Sequence, residues 1–149
     1  MNQNWAYVAG FVDANGSFIV RGKYTTKRGT VCPNMSMLAI SHSNLDFILR
    51  LQKELGAGSI GKNPNANNHR KPAYCLKLSS KQVRRIVPLI LPYLRVKTKQ
   101  AKIALLAAKL LENNRGGHKE HTTNNEAIKV YAQQVRALNS RKGNRTRSV

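Results

Sequence analysis

At 149 residues the chain is long enough to bury one core and is one domain by length. Its 26 Lys and Arg stand against six Asp and Glu, a net charge of +20, and so large an excess in a folded domain is costly unless a polyanion balances it, nucleic acid before any other. No long apolar span, secretory signal or basic amphipathic helix flanked by aromatics points to a membrane; Cys32 and Cys75 have no metal-ligand spacing and read as free thiols of a reducing compartment, with a disulfide as the alternative.

The first element runs from Trp5 into Asp13-Ala14-Asn15-Gly16, an apolar helix ending on a polar tip. Gly10 and Ala14 stand four apart on one face, where small side chains let another backbone approach, while Val8, Phe11 and Val12 can fill the chain's own core. Two readings are open: a helix held between its own domain and a partner, or an ordinary core helix ending in a glycine turn. Ala9, Gly10, Asp13 and Ala14 are the candidate interface.

Ser17 to Tyr24 alternates as a strand, with Phe18, Val20 and Tyr24 on the core side and Ser17, Ile19, Arg21 and Lys23 opposite. A basic loop carrying Lys27 and Arg28 leads to a second strand over 31–42, with Leu38 and Ile40 inward and Met35, Met37, Ala39 and Ser41 outward. Asn44 caps a helix from Leu45 to Leu55 whose stripe is Leu45, Ile48, Leu49, Leu51 and Leu55, and Gly56 ends it. A second hairpin over 58–63 and 73–78 carries Lys62, an amide-rich loop with Asn63, Arg70 and Lys71, and a strand with Tyr74, Leu76 and Leu78 inward and Cys75 and Lys77 outward.

Ser79 or Ser80 caps the next helix, which Pro88 kinks or ends. A further helix spans 97–111, with Ile103, Leu105, Leu106 and Leu110 as its apolar residues, and Asn125 or Thr123 caps a last one through Leu138. The domain then covers 1–140, and a basic tail over 141–149 with Arg141 and Lys142 is available to phosphate. Helix, two strands, helix, two strands and helices give an α+β fold: a four-stranded antiparallel sheet with helices on one face and the other open to nucleic acid. The outward residues above, the two basic loops, Lys99 and the tail are the candidate DNA contacts. Asn can read adenine edges, Arg can read guanine, and apolar side chains can meet thymine methyl groups.

Val8-Ala9-Gly10-Phe11-Val12-Asp13-Ala14-Asn15-Gly16 resembles the signature of the LAGLIDADG homing endonucleases at every position except Asn15, where the family has an acid. Ile40 to Asp46 resembles the family's strand-to-helix junction, and Leu91 to Ala101 its later basic segment. The likeness covers roughly Trp5 to Leu111, and with only one motif it implies a homodimer. The two motif helices would pack together, two active sites would lie side by side, and an αββαββα saddle of strands would sit in the DNA major groove. It implies a site-specific double-stranded DNA endonuclease that uses Mg²⁺ or another divalent cation. The metal-binding acid falls on Asn15, the water-ordering Gln on His42, the catalytic-centre lysine on Lys97, and the first motif acid is Asp13.

Hydrolysis of a phosphodiester draws on metal held by carboxylates, and a neutral amide oxygen is a far weaker ligand. Asp13 is the only carboxylate near the motif, so either Asp13 carries the metal alone or the chain binds its site and cuts poorly. A DNA-binding protein or an RNA-splicing maturase of the same fold, without cleavage, is the alternative.

Overall fold

The computed structural model describes residues 4–62, 72–113 and 122–140. Helix α1, Trp5–Asn15, begins where the Asn4 side chain accepts the Tyr7 N–H at 3.1 Å. Only Val8, Ala9 and Val12 are buried, and Tyr7, Gly10, Ala14 and Asn15 are exposed along the opposite side. Gly16 ends the helix with an ordinary extended backbone, so close packing and not a left-handed turn selects glycine. A Cβ at Gly16 would stand 2.7 Å from the Val12 carbonyl oxygen.

The chain then enters β1, Gly16–Arg21, which pairs antiparallel with β4, Met35–His42. The two strands expected over 17–24 and 31–42 are each broken near the hairpin tip. Pro33 has no N–H to donate to a ladder, and Asn34 turns its side-chain oxygen to the Lys23 N–H. The tip therefore forms a separate ribbon of β2, Tyr24–Thr25, and β3, Val31–Cys32. Tyr24, expected in the core, is exposed as a result.

Helix α2, Leu45–Leu55, has the expected bounds, an Asn44 cap and a left-handed Gly56. Its buried stripe is Ile48, Leu51 and Leu55; Leu45 and Leu49 fall on the solvent flank. Strands β5, Ser59–Lys62, and β6, Tyr74–Leu78, complete a sheet in the order β1-β4-β6-β5. Phe18, Val20, Leu38, Ile40, Leu76 and Leu78 are buried on its inner face.

Helix α3, Ser80–Ile90, starts in a reciprocal capping box between Ser79 and Gln82. Pro88 lies inside it on the exposed side and does not end it, and a 3₁₀ turn, Leu91–Tyr93, follows. Helix α4, Thr98–Asn113, buries Ala101, Ala104, Ala107 and Ala108 completely, whereas Leu106 is exposed and Ile103 and Leu110 are half-buried. The alanines face inward because the helix backbone lies against the sheet: the buried Ser36 hydroxyl donates to the Ala104 carbonyl at 2.7 Å.

Helix α5, Thr122–Asn139, starts earlier than expected and buries Ile128, Ala132 and Val135. Asn125 is no cap; its side-chain oxygen accepts from Asn34 at 2.7 Å. Asn139 donates to the Phe18 carbonyl at 2.9 Å, so the helix is fastened beside edge strand β1. Cys32 and Cys75 are free thiols.

Gly58 has φ +101°, and its absent Cβ would meet Leu76 Cδ1 at 2.5 Å; Gly29 has φ +84° with open space around it. Both Gly→Ala variants incur left-handed strain of about 1–2 kcal/mol. Only Gly58→Ala also overpacks the core, by about 1–3 kcal/mol. Denaturant melts should therefore rank Gly58→Ala clearly below Gly29→Ala.

Candidate nucleic-acid interface and hydrolytic site

Three N–H groups of one loop converge on Asp13. Its Oδ2 accepts from Arg95 at 2.8 Å, and Oδ1 accepts from Val96 at 3.2 Å and Lys97 at 2.9 Å. Burial raises the carboxyl pKa, but the backbone donors of Arg95, Lys97 and Val96 with the Lys97 charge outweigh it, and the pKa is lowered. Lys97 closes the loop from the other side: its ammonium donates to the Val12 carbonyl at 3.3 Å and to that of Gly16. Burial lowers the Lys97 pKa, opposed by the Asp13 charge. Of the three donors of an ammonium group, one is left for a further acceptor.

Along the chain Asn15 stands between Val12 and Gly16, whose carbonyls Lys97 holds, and it is exposed on the last turn of α1. His42 ends β4 with its ring 5.7 Å from Phe11 and 5.2 Å from Phe47. Its Nδ1 accepts the Asn44 N–H at 3.0 Å, so in the neutral ring Nε2 carries the proton. Asp13, Asn15, His42 and Lys97 are thus all placed by the C-terminal half of α1 and the elements packed on it.

On the outer face of the sheet, register aligns Ser17, Ala39, Lys77 and Ser59 in one row, and Ser41, Cys75 and Gly61 in another. Ile19 opposes Met37, and Arg21 opposes Met35. Lys27 and Arg28 are exposed at the ribbon tip, and exposed Lys23 lies at its base.

The model of the LAGLIDADG endonuclease family matches residues 8–108. The chain belongs to that family. None of the curated proteins matches the sequence significantly. Among solved structures it resembles the homing endonuclease I-CvuI, solved in complex with the I-CreI target in the presence of Mg with the DNA not cleaved. That likeness has a TM-score of 0.72 and 22% identity over 90% of this chain and 80% of that one. It also resembles the archaeal intron-encoded I-Vdi141I complexed with DNA (TM-score 0.73, 18% identity, 91% and 84% of the two chains). A third is I-SmaMI bound to an uncleaved DNA target in the presence of calcium ions (TM-score 0.65, 23% identity, 92% of this chain and 48% of that one).

Several expected positions are corrected in this LAGLIDADG chain. Ala9 is fully buried in its own core, so of the expected interface residues Ala9, Gly10 and Ala14 only the last two are open to a partner, with Ala6 exposed beside them. Lys62 opposes Tyr74, in the row of His42, and so falls on the helix side of the sheet's alternation. Lys99 lines a groove with Ile103, Gln134 and Leu138 between α4 and α5, within the helical layer. Cys75 belongs to the outer rows but is buried by its neighbours. Asn63, Arg70, Lys71, Arg141 and Lys142 lie outside the described residues. The polar face of α5 is an addition to the expected surface; Lys129, Gln133 and Arg136 at i, i+4 and i+7 are the sequence signal that marks it.

The donors of one chain do not fit a carboxylate-held divalent cation. Both Asp13 oxygens already accept backbone N–H groups, Asn15 is neutral, and among the described residues no three His, Cys, Asp or Glu side chains could hold a metal together.

Because the folded pKa of Asp13 is lowered, its stabilisation is complete above the unfolded carboxyl value of about 3.9 and is lost as pH falls through the lower folded value. Asp13→Asn should cost about 1–3 kcal/mol near neutral pH. The gap to wild type should narrow below about pH 4, as followed by denaturant titration across pH.

Proposed function

We propose that two copies of this chain pack through the exposed face of α1 and bind a specific double-stranded DNA site with their outer sheet faces, as an endonuclease whose cutting is impaired at Asn15. The observation carrying this reading is the chemistry left open at α1. The helix presents Gly10 and Ala14 outward and ends on an amide where the family has an acid, beside a sheet face that includes Arg21 and Lys77. Exposed apolar side chains lie on α1 and on the segment that packs against it: Tyr7 is 56%, Tyr93 51% and Val96 71% exposed. The partial coverage of I-SmaMI also supports pairing, because the remainder of that protein is long enough for a second unit.

In this dimer the outer rows supply short polar and methyl-bearing side chains to base edges, and Arg21, Lys77, Lys27 and Arg28 supply charge. Asp13 is a positioning residue that holds Lys97 beside the reacting phosphate, where the remaining N–H of its ammonium meets a phosphate oxygen. His42 offers Nε2–H to water or phosphate. A divalent cation bound here would stabilise the attacking and leaving oxygens, but Asn15 is a poor ligand for it, and that weakness is the reason for slow cutting.

A target selected from a randomised duplex library should be bound by the wild type and cut slowly with Mg²⁺. Asn15→Asp should raise cutting about a hundredfold or more, since metal stabilisation is worth several kcal/mol and about 1.4 kcal/mol is tenfold. No gain on the selected site would sink the endonuclease assignment.

The pairing is tested separately. A Cβ at Gly10 meets nothing within 4 Å, so Gly10→Leu leaves the protomer's own packing intact. Sedimentation should then show a folded monomer where the wild type is a dimer.

A further inference from the structure

We infer that α5 carries a phosphate track that extends the DNA-binding surface past the edge of the sheet; this rests on the duplex-binding reading above. Lys129, Gln133 and Arg136 share one face of the helix. They line an open groove of about 570 Å³ whose other wall is Arg21, Gly22 and Tyr24. A second hollow of about 170 Å³ continues it along β1, between Ile19 and Arg21 on one side and Arg136 and Asn139 on the other. Ile19 and Arg21 are outer-face residues, so the groove opens from the surface assigned to DNA and passes over the edge strand.

The lining chemistry fits a phosphodiester backbone. Three cations, an amide and a phenol are donors to phosphate oxygens, and such contacts position a protein without reading sequence. The Arg21 guanidinium lies 5.6 Å from the Tyr24 ring centre and reaches its hydroxyl at 3.5 Å, which keeps both at the rim. Lys129 pairs with Glu126 at 3.1 Å, an exposed contact that is weak and readily exchanged for phosphate. Among the described residues Arg136 makes no ion pair.

The wall is also fixed in place. Asn125 is bound by Asn34, whose oxygen holds the Lys23 N–H, and Asn139 is bound to Phe18 on β1. A Cβ at Gly22 would come within 3.3 Å of the Lys129 side chain, so the strand end and the helix are already in contact. A duplex docking on the sheet therefore meets a preset row of donors and need not order one.

The test uses the full chain, a random-sequence duplex and fluorescence anisotropy over a range of salt. Lys129→Gln/Arg136→Gln should reduce the magnitude of the slope of log affinity against log salt by about 1.8, about 0.9 for each phosphate no longer neutralised. Preference in a randomised-duplex selection should not change. Lys102→Gln/Lys109→Gln, which removes the same charge from exposed positions of α4, should lower the slope much less. If the wild type binds duplex and the two double variants behave alike, the track is overturned while DNA binding stands. An altered sequence preference in the α5 variant overturns its role in holding phosphate. If the wild type fails to bind duplex at all, both readings fall.

Discussion

The carboxylate of Asp13 is the constraint on which the arrangement of the site depends. One side chain gathers three consecutive N–H groups of the segment leading into α4, and the third of those residues returns its ammonium to the Val12 carbonyl in the last turn of α1 and to the Gly16 carbonyl just past it. The latch is reciprocal: the acid of the helix organises the loop, and the cation of the loop closes the helix, where a positive charge is also favoured by the helix dipole. The Gly16 N–H also bonds the Val12 carbonyl and Gly16 pairs with Ile40 in the sheet, so the helix end that carries Asn15 is held from both sides.

This latch divides the motif helix between two tasks. Val8, Ala9 and Val12 close the chain's own core, while Gly10 and Ala14 stay open on the other side. A helix this evenly apolar is amphipathic only when one of its two environments is supplied from outside. The same economy of acids applies to the surface. Glu112 pairs with Arg84 at 3.3 Å and Glu126 with Lys129, so little negative charge is left to offset the Lys and Arg excess. Electrostatics therefore favours a polyanion over the whole chain, and the sheet decides where it lies.

Much of the fold was legible because its signals are local. Asn44 and Gly56 bracket α2, and alternation assigned the faces of β4 and β6 correctly. What was not legible depended on tertiary contacts. The Asn34 bridge splits both long strands at the tip, and no periodicity encodes a side chain that bonds another segment's backbone. In α4 Leu105 is buried as expected and Leu106 is exposed, while four alanines also face inward, where the Ser36 hydroxyl bonds the helix backbone close to the sheet. At the candidate site, the motif pointed to Asp13 and Asn15, and the two later segments of the resemblance to His42 and Lys97, but spacing could not show that Asp13 already accepts three backbone N–H groups. Nor could it separate Ala9 from Gly10: both are small, and only the direction of the neighbouring helices tells which one is covered.

Asn15 separates two properties that a carboxylate at this position would join. In the proposed endonuclease, binding draws on the outer sheet rows and the basic rim, none of which requires charge on residue 15. Cutting, in that proposal, draws on negative charge concentrated at the end of α1, and Asp13, the only acid there among the described residues, is committed to backbone donors. An Asn side chain keeps the size and one oxygen of Asp while removing the charge, so it alters neither the helix end nor the latch. It also removes a repulsion: two carboxylates brought together at a helix-paired centre, facing a phosphate, oppose both dimer and complex until a cation neutralises them. With amides in their place, the proposed pairing of helices on a duplex carries no such repulsion for a cation to neutralise. In the proposed function the amide that weakens hydrolysis therefore also favours a long-lived uncut complex, and both effects follow from the charge on one side chain.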